Sequence, residues 1–322
     1  MPGVVHRVRS RLAAGLLAAM VIAVNVHSVG AQQVSVQDRA QLLRPPRTSP
    51  ADPYSEENGV DNGRAAESEN DADIGEQEIL KRVERYEPFS VSLAAPFYYT
   101  SNVALVRNGE QSDTVFSPAA GVTYAPRITQ TLYGSFTIQR QEFYYDKFTA
   151  LNFGSFDFRA GLTWILPKAH NLILRAEYDY NRLTFSNSFN DFFSNHSIFL
   201  NAELPFRFGR AQQISIGADT NLSLGASPSA PQRHEFDVYV GYAVSLTRSL
   251  SMGAVGRVFV RDYESVNRTD VSEVIALTAN YRITKQFSAG AATTFAWSQS
   301  NKSVFDYDVA NFGGALSLTF KF

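Results

Sequence analysis

"FGSFDFRAGLTWILPKAHNLILRAEYDYN", residues 153–181, reads with a period of two. Phe156, Phe158, Ala160, Leu162 and Trp164 alternate with Asp157, Arg159, Gly161 and Thr163. After "LPKAH" the alternation resumes, with Leu172, Leu174, Ala176, Tyr178 and Tyr180 against Arg175, Glu177 and Asp179. Successive side chains of a strand point to opposite faces, so each half reads as a strand with one apolar and one charged face. The short connection makes the two strands antiparallel neighbours.

The same period runs from Phe89 to the last residue. Twelve runs of about ten residues carry it, a length suited to crossing a bilayer as a tilted strand. The connections are expected to alternate in length. "PRIT", "LPKAH", "FGRA", "TRS" and "TK" are tight, whereas "TSNVALVRNGEQSD", "EFYYDKFTALN", "FSNSFNDFFSNH", "GASPSAPQRH", "ESVNRTD" and "SQSNKSVFDY" are longer. A soluble half-buried sheet would alternate in the same way. Twelve long strands with one apolar face need an equally large cover, and the chain offers neither helices nor a second apolar sheet for it. Lipid is the remaining cover. In lipid every backbone donor and acceptor must be satisfied internally, so the sheet must close. The expected fold is all-β: a closed antiparallel transmembrane β-barrel of twelve strands, greasy outside and polar within. Aromatic girdles are expected at both interfaces. Tyr99, Tyr144, Tyr145, Tyr180, Phe236, Tyr263 and Trp297 would mark the loop end. Tyr124, Trp164, Phe206, Tyr281, Phe287 and Phe320 would mark the turn end.

The chain closes on "GGALSLTFKF", residues 313–322, in mid-strand and on an aromatic. With the alternating strands and the unequal connections, this ending resembles that of the bacterial outer-membrane β-barrel proteins. The resemblance covers residues 89–322 and concerns architecture. It implies that Leu316, Leu318, Phe320 and Phe322 form an assembly signal, read by the barrel-assembly machinery before the segment becomes the closing strand. It also implies residence in the cell outer membrane, with outer-membrane lipid as the surrounding partner. An even strand count then puts both termini in the periplasm and the long loops outside.

The N-terminal part divides by composition. Residues 1–31 have a basic start, the apolar run "LAAGLLAAMVIAVNV" and small residues at Val29 and Ala31, the pattern of a signal peptide cleaved after Ala31. Residues 32–73, rich in Pro, Ser, Asn, Asp and Glu, are expected to be a disordered acidic periplasmic tail. Residues 74–87 space Ile79, Val83 and Tyr86 as a short amphipathic helix ended by Pro88. The barrel takes residues 88–322.

Chemistry is sparse. The formal charge of −2 gives no reason to expect nucleic acid as a partner, and the absence of cysteine removes disulfides and thiolate chemistry. No metal or cofactor site is expected. After leader cleavage His170, His196 and His234 remain. None sits in a context suited to activating a serine, so no catalytic residue is expected. The charged residues of the lumen face are the candidate site: Asp157, Arg159, Arg175, Glu177, Asp179, Glu203, Asp219, Asp237, Arg257, Arg261 and Arg282. They either pair and fill the interior or form a constriction that orients a small polar solute. Their placement gives an acidic arc with a basic edge and a mild cation preference. If "LPKAH" sets the register, Arg159 opposes Glu177. The expected function is a passive channel or binding pore for small hydrophilic solutes. The alternative is an accessory barrel that docks a periplasmic export or envelope partner through its tail. An outer-membrane enzyme is disfavoured by the histidine inventory.

Overall fold

The computed structural model describes residues 36–44, 86–209 and 211–322. Thirteen strands form one antiparallel sheet: β1 (Phe89–Thr100), β2 (Asp113–Phe116), β3 (Ala119–Tyr124), β4 (Leu132–Tyr145), β5 (Phe153–Leu166), β6 (Leu172–Phe185), β7 (Asp191–Phe208), β8 (Gln212–Ser227), β9 (Arg233–Ser245), β10 (Leu250–Tyr263), β11 (Arg268–Arg282), β12 (Phe287–Ser300) and β13 (Tyr307–Lys321). β2 and β3 are two halves of one stave. β2 pairs with Phe97–Thr100 and β3 with Phe89–Ala94 of β1, and both pair with β4. Ser117 and Pro118 separate them, because a proline has no N–H for the ladder. The barrel therefore has twelve staves, as the periodicity predicts.

β13 closes the cylinder on β1, with Ser90 opposite Lys321 and Thr100 opposite Asn311. Beyond the last strand residue the Phe322 N–H donates to the Phe89 carbonyl at 2.8 Å, and the Phe89 N–H donates back at 3.2 Å. The end carrying Phe89 and Phe322 is called the terminal end below, and the other the far end.

The outer surface is apolar in the way the alternation requires. Leu162, Trp164, Val238, Val240, Ile275, Leu277 and Leu316 are all exposed, while Asp157, Asp179, Glu203, Asp237 and Arg261 are buried inside. No described helix is long and apolar enough to cross a membrane. Eleven of the thirteen girdle aromatics face outward at the expected ends; Tyr145 and Tyr263 do not. Both point into the lumen and are 3% exposed.

The loop asymmetry is weaker than the sequence suggests. Connections run from four to twelve residues at the far end and from three to seven at the terminal end. The strands continue into the expected loops. β7 starts at Asp191, inside "FSNSFNDFFSNH", because Phe193 packs inward against Phe143, Phe153 and Leu183. The register of β5 on β6 also differs by two: Arg159 faces Asp179, and Glu177 faces Gly161. The turn holds five residues, with His170 and Asn171 in the left-handed region, and pairing resumes at Leu166 opposite Leu172.

Candidate functional site

The far half of the lumen is occupied. Residues 36–42 form a helix, α1, inside the barrel, continued by a turn to Arg44. This corrects the expectation of disorder for that part of residues 32–73; the rest of the tail lies outside the described residues. The expected helix over 74–87 also lies outside them, except that Tyr86 and Glu87 are non-helical. A seven-residue helix is marginal alone in water, so its stability comes from the walls around it.

Its apolar residues divide between two sides of the barrel. Val36, Ala40 and Leu43 pack with Tyr98, Val103, Val115, Phe143, Tyr145, Phe153, Leu183 and Phe193. Leu42 packs with Leu105, Phe259, Val274, Ala296, Tyr307 and Val309. The lumen face is thus apolar where the helix sits, against the expectation of a polar interior throughout. Burying each large apolar side chain contributes about 1.5–3 kcal/mol.

Its polar residues bridge opposite walls. On one side Arg44 makes a fork to Asp157, Nη2 to Oδ2 at 2.9 Å and Nη1 to Oδ1 at 3.3 Å, and its Nε donates to the Gln141 Oε1 at 3.0 Å. Asp157 also accepts from Ser155 and from the Asn181 amide at 2.6 Å. On the other side Asp38 accepts from Arg233 Nη1 at 2.7 Å and lies 3.7 Å from Arg261. The Gln41 Oε1 accepts from Arg233 at 3.3 Å and from Arg261 at 3.2 Å, and its amide donates to Glu235 at 3.2 Å. At the rim Arg39 donates to the Val103 carbonyl and lies 5.7 Å from the Tyr145 ring centre.

Burial alone would raise the Asp38 carboxyl. Arg233, Arg261 and Arg268 outweigh it and hold the group below its ordinary value. A depressed carboxylate stabilises the seated helix above the ordinary carboxylate value of 3.8, and that contribution is lost as pH falls through the lowered value. Arg44→Gln removes the charged fork and should weaken seating by roughly 1.5–3 kcal/mol. The check is the maleimide reactivity of a cysteine placed at Leu43, which should rise in the Arg44→Gln background.

The wall charges form two further groups. Asp219 and Asp237 face each other across β8 and β9, and Arg257 bridges them, 3.4 Å from Asp219 and in direct contact with Asp237. Deeper in, Tyr239 donates to Glu203 at 2.8 Å and accepts from Asn201 at 3.1 Å. Arg159 donates to Gln139, and Glu177 accepts from Ser135. Arg175 is on the lumen face of β6, and Arg282, near the terminal mouth, donates to the Arg248 carbonyl. The acidic arc is therefore shorter than expected: Arg257 offsets one of its four carboxylates, and Asp157 holds Arg44. The basic edge is larger, since Arg233 and Arg268 join Arg261. Parity carried a few residues further into the presumed loops would have found both.

The histidines lie apart. His170 is exposed in the β5–β6 turn. His196 faces outward, bonded to the Tyr178 hydroxyl at 2.5 Å. His234 bonds Glu264 at the rim. Among the described residues no cluster suited to a metal ion occurs.

The architecture has counterparts among solved structures. An outer membrane channel from Pseudomonas putida F1 superposes with a TM-score of 0.51 at 11% identity, over 74% of this chain and 98% of that one. The fold is that of a bacterial outer-membrane β-barrel. Weaker likenesses include the translocator domain of the autotransporter NalP from Neisseria meningitidis, with a TM-score of 0.45, 11% identity and coverage of 74% and 90%. The NanC porin follows at 0.42, with 6% identity and coverage of 70% and 98%. No protein-family profile matches the chain, and no curated protein matches its sequence.

Proposed function

We propose that this outer-membrane barrel is a passive pore for small hydrophilic solutes, held closed at its far half by its own N-terminal helix. The reading rests on one observation: α1 reaches both walls at once, through Arg44 to Asp157 and through Asp38 to Arg233. A wall alone would leave these charges to line a channel. The terminal end faces the periplasm and the far end the exterior, as the alternation of connections and the position of the closing strand suggest.

Withdrawal of α1 leaves Asp157 without Arg44 on the β5 wall and Arg233 and Arg261 without Asp38 on the β9–β10 wall opposite. A transverse field of this kind orients a dipolar or zwitterionic solute across the pore. Forty-one residues separate Arg44 from Tyr86. Fully extended they reach roughly 140 Å, more than twice the length of the longest barrel strand, so the chain is long enough for the helix to leave while tethered.

The direct test is single-channel recording of the full-length chain in a planar bilayer. Brief openings from a closed baseline, made longer by Asp38→Asn, support the gated pore. A chain that stays closed in both forms supports the second reading, an accessory barrel whose filled lumen only anchors its N-terminal segment.

Assembly supplies a separate prediction. Phe322 is exposed on the outer face and its backbone joins β13 to β1. Deleting Phe322 should lower the yield of assembled barrel in cells more than in detergent refolding, because only cells depend on recognition of the terminal segment. Equal yields in cells would remove Leu316, Leu318, Phe320 and Phe322 as an assembly signal.

A further inference from the structure

We propose that Arg233 and Arg261 form a binding site for the carboxylate of a permeating solute, and that Asp38 fills this site in the closed state. The inference rests on the gated-pore reading and names the solute class it serves.

The two guanidiniums are held from the wall side without help from α1. Arg233 Nε donates to Glu235 at 2.7 Å, and its Nη1 reaches the Tyr263 hydroxyl at 2.9 Å. Arg261 Nη1 donates to the Ser272 hydroxyl at 3.0 Å, itself bonded to Ser298 at 2.8 Å. The Arg261 guanidinium also lies 4.3 Å from the Phe259 ring centre, and its side chain is fully buried. What remains for the lumen is a set of N–H groups: Arg233 Nη1 and Nη2, and Arg261 Nη2. The helix meets them with two oxygens, Asp38 Oδ1 and Gln41 Oε1. Two acceptor oxygens against fixed guanidiniums are what a carboxylate presents, and a fixed site spends little free energy on rearrangement when a ligand arrives.

Charge favours the same class. With Asp38 gone, Arg233, Arg261 and Arg268 face Glu235 and Asp270, one positive charge in excess. A monoanion restores the balance. Glu235, 3.5 Å from Arg261 and 2.7 Å from Arg233, stands beside the site and disfavours a dianion such as phosphate. Asp38 is held at the site together with the rest of α1, so a free solute competes with the seated helix as a whole.

The test is equilibrium dialysis of radiolabelled D-gluconate against the full-length protein in detergent, at a mildly alkaline pH where inorganic phosphate is the dianion, with glucose and phosphate as competitors. A site occupied by Asp38 nine-tenths of the time is weakened about tenfold, so Asp38→Asn should bind gluconate about tenfold more tightly than the parent. Gln41→Ala should shift affinity the same way and serves if Asp38→Asn disturbs assembly. Adding Arg233→Gln to either variant should abolish binding. Neither glucose nor phosphate should displace the label. Equal affinity in the parent and both helix variants overturns the site, as does binding that survives Arg233→Gln or yields equally to phosphate. Asp38→Asn recorded in a bilayer without gluconate separates the two claims. Longer openings with no gain in gluconate affinity would overturn the carboxylate site and leave the gate standing.

Discussion

Deletion of residues 32–44 should turn a closed barrel into a steadily conducting one. The described part of this segment, residues 36–44, carries α1 and the ion pairs but no part of the strand ladders, which close through β13 and β1. The barrel should therefore still fold, as the retained heat-resistant mobility on a gel will report. The helix is seated by Val36, Leu42 and Leu43 against two apolar clusters and by the Asp38 and Arg44 ion pairs. Each 1.4 kcal/mol of net seating energy is a factor of about ten in occupancy, so even a modest preference keeps the pore closed nine-tenths of the time. Mean current in a planar bilayer should rise about tenfold or more on deletion. An unchanged current would mean that α1 does not obstruct the conducting path.

Placing an arginine on the outer wall should be the most damaging single substitution. Val240 lies midway along β9, opposite Ile216 of β8 and Gly256 of β10, and is 54% exposed on the outside. Val240→Arg puts a charge into hydrocarbon at mid-depth and should cost about 2–4 kcal/mol of folding free energy in lipid vesicles. Asn280→Arg puts the same side chain on the exposed lumen side of β11, toward the terminal mouth, and should change stability by about 0.5 kcal/mol or less. Equal losses for the two substitutions would contradict the assignment of faces.

The wall was legible because its signal is repeated. One strand such as residues 153–166 is ambiguous, but twelve with the same parity leave lipid as the only sufficient cover. The lumen-facing charges follow from the same parity, and Asp157, Asp179, Asp237 and Arg261 are where alternation places them. Pair assignments were less legible. Arg159 meets Asp179 rather than Glu177 because a turn of five residues, not its sequence, sets which rungs align. The partners of Asp157 were out of reach, since its fork comes from Arg44, 113 residues away.

The helix was hidden for a different reason. "VSVQDRAQLLRPP" does space Val36, Ala40 and Leu43 on one face, and Pro45 and Pro46 give a stop. That signal spans barely two turns and sits beside a long polar segment, so composition outweighed it. Seven helical residues acquire their structure from the barrel, and no local preference announces such a dependence. Tyr145 and Tyr263 misled for a related reason: aromatics near strand ends suit an interface, but these two keep their rings for Arg39 and Arg233.

Whether α1 occupies the lumen in the membrane is the central claim, and one cross-linking measurement addresses it. The chain has no cysteine, so Gln41→Cys and Glu235→Cys create the only reactive pair. The native side chains they replace bond at 3.2 Å. A short bis-maleimide applied to isolated outer membranes should join the two positions within one chain and hold the purified barrel closed in a bilayer. Efficient labelling of both cysteines with no intramolecular cross-link would contradict a seated helix.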